Sequence, residues 1–450
     1  MATDPTRSIR RRRSTSPFEI GAGDMVERIR SLPPSLSIPY LTVMVDWRVQ
    51  GDSPGRAAPV EVKRSQNRSG QEEGIRWRPA IEILEREIED IVERHGPHGE
   101  AYESLKQDKK AVFDFLENEL DPAAHGAIIV SSSANGVFEA TGFAMPVETA
   151  THVGLTPWIV ELVRLVEDNP TYAVLHADQH EARLLYLVKG SSGKSVTLTS
   201  SDYPRHQETG GWSQARLQRR ADERVEAFAS DVAEETRKSL ERTGVESLII
   251  AGGEVMTTAL DHELHEAVKE RIIATIPLEN TATDDEIIEA TQDIADRAER
   301  KREAELVSNV RDQVGSDARG AAGPADTLKA LQIGQVQDLA IVDTFEGSGW
   351  ADFEMNLFGV GDIPDEHPAG GDVSSLVKVD LPNEMLRLAL SQDAEIDIIH
   401  SDVPAETDEP VRESKDGLPI TEAAALLNEI GGVGAVLRFA LDETAQPESV

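Results

Sequence analysis

Thr209-Gly210-Gly211-Trp212-Ser213-Gln214-Ala215-Arg216-Leu217-Gln218-Arg219-Arg220 sits between a strand pattern and a long helical one. Adjacent glycines free the backbone to reach positive φ and let another backbone come close. Trp212, Ser213 and Gln214 make a polar tip. A helical period follows at once: Leu217, Ala221, Val225, Phe228, Val232 and Leu240 recur at spacings of three, four or their multiples, one face of a long helix. Upstream, Val196 to Thr199 reads as a strand, with Tyr203-Pro204-Arg205-His206 as its exit. The spacing therefore predicts a diglycine tip between a strand and a helix. Arg205, Arg216, Arg219 and Arg220 stand there against a single acid, Glu208, a local reversal of sign in a chain of formal net charge −37. The bland reading is a solvent loop whose arginines pair along the helix with Asp222, Glu223 and Glu226.

The chain has 450 residues, enough for two to four domains with real cores. Hydrophobic residues make up 39%, and no apolar run approaches the ~20 residues that a membrane helix needs. Arg10 to Arg13 have no apolar stretch behind them, so residues 1–23 read as a basic disordered tail and not a signal peptide. Cysteine is absent, which excludes disulfides and thiolate zinc sites and fits a reducing cytoplasm. Asp and Glu total 82 against 45 Lys and Arg, with Lys scarce. An acidic, Lys-poor surface suits solubility in concentrated salt, where the Debye length falls to ~3 Å, and predicts a salt-loving host. Bulk charge opposes RNA, but at high salt contact depends on local patches and shape.

In order, Asp24 is placed to cap a short helix through Ile29, and Leu36 to Asp46 is strongly β-forming after Pro33-Pro34. Residues 50–74 read as a long loop; two amphipathic helices, a buried strand at Gly126 to Val130 and its hairpin partner at Val137 to Gly142 follow. A helix is expected from Thr156-Pro157, with proline in its first turn. The next domain opens as a β-meander, Tyr172 to Leu175, Ala182 to Val188 and Val196 to Thr199. Gly190-Ser191-Ser192-Gly193-Lys194-Ser195 lacks P-loop spacing and reads as a hairpin turn. Ser247 to Gly253 is a buried strand with a glycine turn. That turn would bind phosphate at a helix N-terminus or, with Glu254 at its mouth, simply join strand to helix tightly. His262-Glu263-x-His265 does not match the zinc pattern. A helix from Met256 to Lys269, a strand at Ile272 to Ile276 and a long helix from Asp284 come next, then a helix end and linker over 301–325. The last segment holds strands at 336–342 and 395–399, loops over 345–374 and 401–418, and a terminal Gly-rich strand.

Gly210-Gly211-x-Ser213-Gln214-x-Arg216, before an Arg-rich and acid-studded helix, resembles the catalytic loop of the archaeo-eukaryotic peptide-chain release factors. It is closer still to their bacterial and archaeal relatives and to the peptidyl-tRNA hydrolases of ribosome quality control (Vms/Ankzf type). Release factors proper carry Gly-Gly-Gln; here Trp212 holds the third place and the glutamine follows at Gln214, and the quality-control branch similarly sets its glutamine downstream. Leu36-x-x-Pro39-Tyr40-Leu41 resembles the opening of the family's first domain, and Gly431-Gly432-Val433-Gly434-Ala435-Val436-Leu437-Arg438-Phe439 its L7Ae-like third domain. The codon-reading Asn-Ile-Lys-Ser and Cys motifs are absent, so codon recognition is not expected.

The resemblance implies an α/β fold of three domains in series, mixed sheets flanked by helices, with an L7Ae-like C-terminal domain. The divisions are 1–168, a middle domain at 169–300 with the tip and long helix, and 320–450. It implies Gly210, Gly211 and Gln214 as the catalytic set at the CCA end of peptidyl-tRNA, and Arg205, Trp212, Ser213, Arg216, Arg219 and Arg220 as RNA contacts, Trp212 by stacking. No metal or cofactor is implied. The partners would be the ribosome and peptidyl-tRNA, with a translational GTPase as an optional one, and the chain a cytoplasmic monomer without membrane or DNA. Ester hydrolysis and cleavage of the tRNA near its CCA end both remain open, the latter with His206 as a candidate base. So does a non-catalytic, hibernation-type factor occupying the ribosomal A site, which Trp212 in the glutamine's usual place favours.

Overall fold

The computed structural model describes residues 25–439 apart from 49–51, 54–55, 58–61, 67–71, 77–78, 96–97, 122–123, 144–145, 168–171, 189–190, 200–213, 316–318, 405–409 and 415–416. The tail read at 1–23 lies outside them. A short helix α1 (25–30) precedes β1 (Tyr40–Asp46), whose first six residues are all buried. Where composition predicts a loop over 50–74, the backbone makes two small ladders, β2 (Asp52–Ser53) with β3 (Arg56–Ala57) and β4 (Val62–Gln66) with β5 (Glu72–Arg76). Backbone pairing needs no apolar face, so polar composition did not disclose them. Helices α2 (Pro79–Arg94) and α3 (Glu100–Asn118) precede β6 (Gly126–Ser132), β7 (Val137–Phe143), β8 (Ala150–Gly154) and α4 (Val160–Glu167). The sheet runs β7-β6-β1-β8, all antiparallel. Leu84, Ile88, Leu105 and Val112 of α2 and α3 pack on Leu41, Val43 and Ile129 of one face. Helix α4 starts three residues after the expected Pro157. Thr156 and Pro157 are spent elsewhere: the Thr156 hydroxyl donates to Glu384, and the Pro157 carbonyl accepts from the Asn383 amide at 3.2 Å.

The middle segment holds β9 (Tyr172–Ala177), β10 (Glu181–Val188), β11 (Ser191–Thr199), α5 (Gln214–Thr243), β12 (Leu248–Gly252), α6 (Glu254–Glu263), α7 (Glu266–Lys269), β13 (Ile272–Pro277) and α8 (Asp284–Gly315). Its sheet is mixed, in the order β11-β10-β9-β12-β13, with β9, β12 and β13 parallel and β9-β10-β11 antiparallel. The string at 190–195 contributes the start of β11 to a hairpin. The helix expected over 256–269 is broken: Leu264 is extended, and His265 caps α7 by accepting from the Ala267 N–H at 3.3 Å. Gly252 has φ 152°, and a Cβ there would stand 2.1 Å from the Ala177 carbonyl oxygen, so the Gly252-Gly253 turn is a tight strand–helix joint. Helix α8 runs to Gly315, within the 301–325 span expected to hold its end, and Val307 and Val310 continue its apolar line onto a core with Ala340, Val342 and Leu427.

The last segment comprises β14 (Gly320–Ala322), α9 (Gly323–Gln332), β15 (Val336–Val342), β16 (Ser348–Asp352), β17 (Leu357–Val360), β18 (Val377–Asp380), α10 (Leu381–Ser391), β19 (Glu395–Ile399), β20 (Val411–Glu413), β21 (Pro419–Thr421), α11 (Glu422–Glu429) and β22 (Val433–Leu437). The Gly-rich terminal string forms β22, paired between β14 and β15 in the sheet β14-β22-β15-β19. Two expected loops are partly strand. Residues 345–374 include two strands of the sheet β17-β16-β18, and 401–418 include β20. The glycines that suggested a loop serve close approach: a Cβ at Gly359 would lie 2.1 Å from the Trp350 ring. The Gln332 amide completes the outer edge of β17, accepting from Phe358 N–H at 2.9 Å and donating to its carbonyl at 3.2 Å. Gln332→Leu should cost about 1–2 kcal/mol in a urea titration, since it strands both groups.

The loop after β17 is tied to Asp352, whose carboxylate accepts from Ser375 Oγ at 2.7 Å, Met355 N–H at 2.9 Å and His367 Nε2 at 3.1 Å. These bonds, Ser375 first, hold the Asp352 pKa down at about 2. A carboxyl lower in the folded than in the unfolded chain stabilises fully above the unfolded value of ~3.9 and loses that contribution as pH falls towards the folded one. Between pH ~4 and ~2, wild type should therefore lose more stability than Asp352→Asn, measured by denaturant titration at each pH.

Contacts divide the chain into two compact units, one of residues 169–302, the other of 21–168 with 303–450. In the second, Tyr40, Met44, Ile159 and Leu162 share one hydrophobic cluster with Leu386, Leu388 and Ile398. No helix among the described residues is long and apolar enough to cross a membrane.

Candidate functional site

Arg205, Gly210, Gly211, Trp212 and Ser213, with His206, lie outside the described residues. The structure describes what holds them: β11 ends at Thr199 and α5 begins at Gln214. Gln214, Arg216, Arg219 and Arg220 thus occupy the first two turns of α5, where the backbone alone is described. At ~100° per residue, Gln214 falls on the line of Val225, Phe228 and Val232, which are buried. Arg216, Arg219 and Arg220 fall on the opposite half of the helix. The pairing of their side chains along the helix, the bland reading of the sequence, lies outside the described residues as well. Glu223, Arg224 and Glu226, one turn on, are exposed.

Helix α5 is anchored from Val225 onward. Val225, Phe228, Ala229, Val232 and Leu240 pack on Leu175, Leu184, Leu248 and Ile250 of the sheet, with Met256 and Leu260 of α6. Gly244, at φ 73°, closes the helix by donating to the Leu240 carbonyl at 2.8 Å. On the outer face Arg237 spans Glu234 and Glu241 at 2.9 and 2.6 Å. It lowers the Glu234 carboxyl to about 2. A helix of 30 residues is ~45 Å long, whereas the nine-residue β11 spans at most ~30 Å. Since α5 ends where the chain turns back into β12, roughly 15 Å of its N-terminal part is in excess of any strand it covers. That first turn contains no acidic residue, unlike those of α3 and α8. No carboxylate of that turn therefore offsets the positive end of the helix dipole.

Strand β11 ends at a defined edge of the sheet. Thr199 pairs with Glu181, Ala182 with Ala177, and Ala177 with Gly252, so the last residue of β11, the β9–β10 turn and the Gly252 joint share one end. A polar lock that sequence reasoning missed stands beside them. Arg183 donates to His176 Nδ1 at 3.2 Å and to the Ala282 carbonyl at 2.6 Å, and pairs with Asp284 at 3.0 Å. Burial pushes His176 down, and its Nε2 meets the Glu279 carbonyl at 3.0 Å. The lock fixes the start of α8 to the strand end; its only sequence signal was polar residues in β9 and β10. Two surface clefts, of about 380 and 280 Å³, lie along α2, lined by Glu85, Glu89 and Asp90 and by Glu87, Arg94 and His152 respectively. Among the described residues no group of three or more His, Asp and Glu could hold a metal ion.

Comparison with known proteins adds the lineage. Residues 157–296 match the model of bacterial archaeo-eukaryotic release factor family 10. Peptide chain release factor subunit 1 of Thermococcus onnurineus is 23% identical over 301 residues, 62% of this chain and 68% of that protein. The pelota homolog of Haloarcula marismortui is 25% identical over 231 residues, 49% of this chain and 59% of its own. Among solved structures, the chain is similar to the archaeal Pelota of a ribosome-bound Pelota and ABCE1 model, with 14% identity, coverage of 95% and 96%, and a TM-score of 0.37. The family match spans β9 to β13 together with α5, the elements that carry the diglycine stretch. Residues 157–296 are thus a segment of the archaeo-eukaryotic release factor superfamily, in its bacterial and archaeal branch, within a chain similar to release factor subunit 1 and to pelota.

Proposed function

We propose that this protein is a release-factor-like peptidyl-tRNA hydrolase acting on ribosomes in rescue or quality control, working through Gly210, Gly211 and Gln214. The observation that carries the reading is the geometry of α5. The helix exceeds the strands beneath it, starts at Gln214 and has no acid in its first turn. It offers reach and a positive dipole end to an anionic partner. Water attacks the ester carbonyl that joins the nascent chain to the tRNA ribose; the C–O bond breaks, the peptide leaves as the acid and the ribose regains its hydroxyl. Gln214 would orient that water with an amide that both donates and accepts, and diglycine N–H groups would meet the developing oxyanion. Arg205, Arg216, Arg219 and Arg220 would bind phosphates, with Trp212 stacked on a base and Ser213 beside it. We place the protein in the cytoplasm of a salt-loving host, with a translational GTPase as an optional partner and 1–168, 169–300 and 320–450 as its functional segments.

The test is release of labelled peptide from stalled ribosomes in molar KCl, with the tRNA 3′ end sequenced afterwards. Freed peptide with intact CCA supports ester hydrolysis; a truncated 3′ end supports tRNA cleavage. The second reading, a non-catalytic hibernation-type factor, rests on Trp212. Co-sedimentation with ribosomes but no release at any salt would select it. Absence of co-sedimentation would refute both.

A further inference from the structure

An outer strand of a sheet exposes unpaired N–H and C=O groups, and proteins protect such edges with charge, proline, bulges or shortness. Several edges here are protected. Pro277 ends β13, Lys378 stands in β18, and β14 has three residues. Strand β7 is longer and lacks these devices. Its seven residues, Val-Phe-Glu-Ala-Thr-Gly-Phe, pair with β6 without a register break, and no strand among the described residues pairs with its other side. It contains no Lys, Arg or Pro. Its one charge, Glu139, is drawn onto Arg28 at 2.6 Å. Phe138 remains 40% exposed, edge-on to Phe115 at 6.2 Å.

The strand is also self-complementary. Ala140 is its middle residue, so a two-fold axis there sets Ala140 against its own copy, Glu139 against Thr141 and Phe138 against Gly142. No like charges face each other, and each Phe138 meets a residue without a side chain. We infer that β7 pairs antiparallel with β7 of a second copy, joining two four-stranded sheets into one of eight. This departs from the monomer that the family resemblance implied, and it is independent of the catalytic proposal. Because each copy carries a net charge of −37, association should strengthen with salt as repulsion is screened.

The test uses sedimentation equilibrium of the full chain across protein concentration, at low and molar salt. The expected result is reversible association from 49.1 kDa to twice that mass, with affinity rising by roughly tenfold or more between ~0.1 and ~1 M salt. Phe138→Lys, which supplies the missing edge charge, should leave a monomer with an unchanged melting temperature. The chain has no cysteine, so Ala140→Cys reports the register. Residues opposite one another across an antiparallel ladder lie ~4.5–5.5 Å apart at Cα, within disulfide range. Mild oxidation should link this variant at least ~10-fold faster than Ser230→Cys, an exposed control on α5. A single 49.1 kDa species at every concentration and salt would overturn the proposal. So would association weakened by salt, a dimer that survives Phe138→Lys, or an Ala140→Cys variant that links no faster than the control.

Discussion

Replacing Gln214 by alanine is expected to lower peptide release from ribosomes by about 10²–10³-fold, the usual cost of removing one positioned donor from a developing oxyanion or its attacking water. Ribosome binding should stay within about threefold, because in the proposed mechanism the arginines and not Gln214 would neutralise the phosphates. Folding should not suffer, since the residue opens an α-helix and alanine is the stronger helix former. The melting temperature of the variant checks that point. Arg219→Gln with Arg220→Gln should show the converse: weaker binding, with the slope of log affinity against log salt reduced by ~0.7 for each phosphate no longer neutralised, and kcat largely retained at saturation. The split separates chemistry from docking. Equally weakened binding in both variants would mean that the glutamine is one more RNA-binding group and not a positioned amide. Full release by Gln214→Ala would remove the residue from the mechanism altogether.

The middle segment was the most legible part of the sequence, and the reason is physical. A thirty-residue helix repeats its apolar line many times, so Leu217 to Leu240 could be read without structural help. Strands β9, β12 and β22 are buried apolar runs bounded by glycine or polar turns, which local composition also discloses. What stayed hidden depends on partners distant in sequence. Glu384 and Asn383 read as ordinary polar residues of a helix, yet they are 1% and 3% exposed because Thr156 and the Ile159 N–H, more than two hundred residues earlier, bond to them. The joint core of 21–168 and 303–450 is of the same kind, built by two segments that composition separates. Gly349 and Gly359 misled in the opposite direction. Glycine in a polar stretch signals a loop, and only the Trp350 ring lying against Gly359 explains why the strand needs it. For the site, sequence anticipated the long helix that follows the diglycine stretch, itself outside the described residues, but not the length by which α5 exceeds its sheet, since that requires the strands to be measured against the helix.

Asp108→Leu is expected to destabilise the 21–168 and 303–450 unit by about 3–5 kcal/mol, the cost of stripping a buried carboxylate from the donors gathered on it. Asp108 is fully buried on α3. One oxygen accepts from Ser131 Oγ at 2.6 Å, Ser133 N–H at 2.7 Å and Ser133 Oγ at 2.5 Å; the other accepts from Ser104 Oγ at 3.3 Å. Hydroxyls can turn to other acceptors, but the Ser133 N–H cannot, and leucine leaves this half-buried group without one. Asp108→Asn keeps the shape and one accepting oxygen, so it should cost only about 1–2 kcal/mol. Urea titration gives both values, and hydrogen exchange at Ser133 and Ala134 should accelerate in step with them. The damage should centre on the β6–β7 turn, because Ser104 Oγ also accepts from the Ala134 N–H at 3.1 Å. Molar salt, which screens the exposed carboxylates that dominate this surface, should leave the difference between wild type and Asp108→Leu within ~0.5 kcal/mol, since ions do not reach a buried group. A difference that shrinks with salt would mean that Asp108 acts through surface charge and not through its bonds.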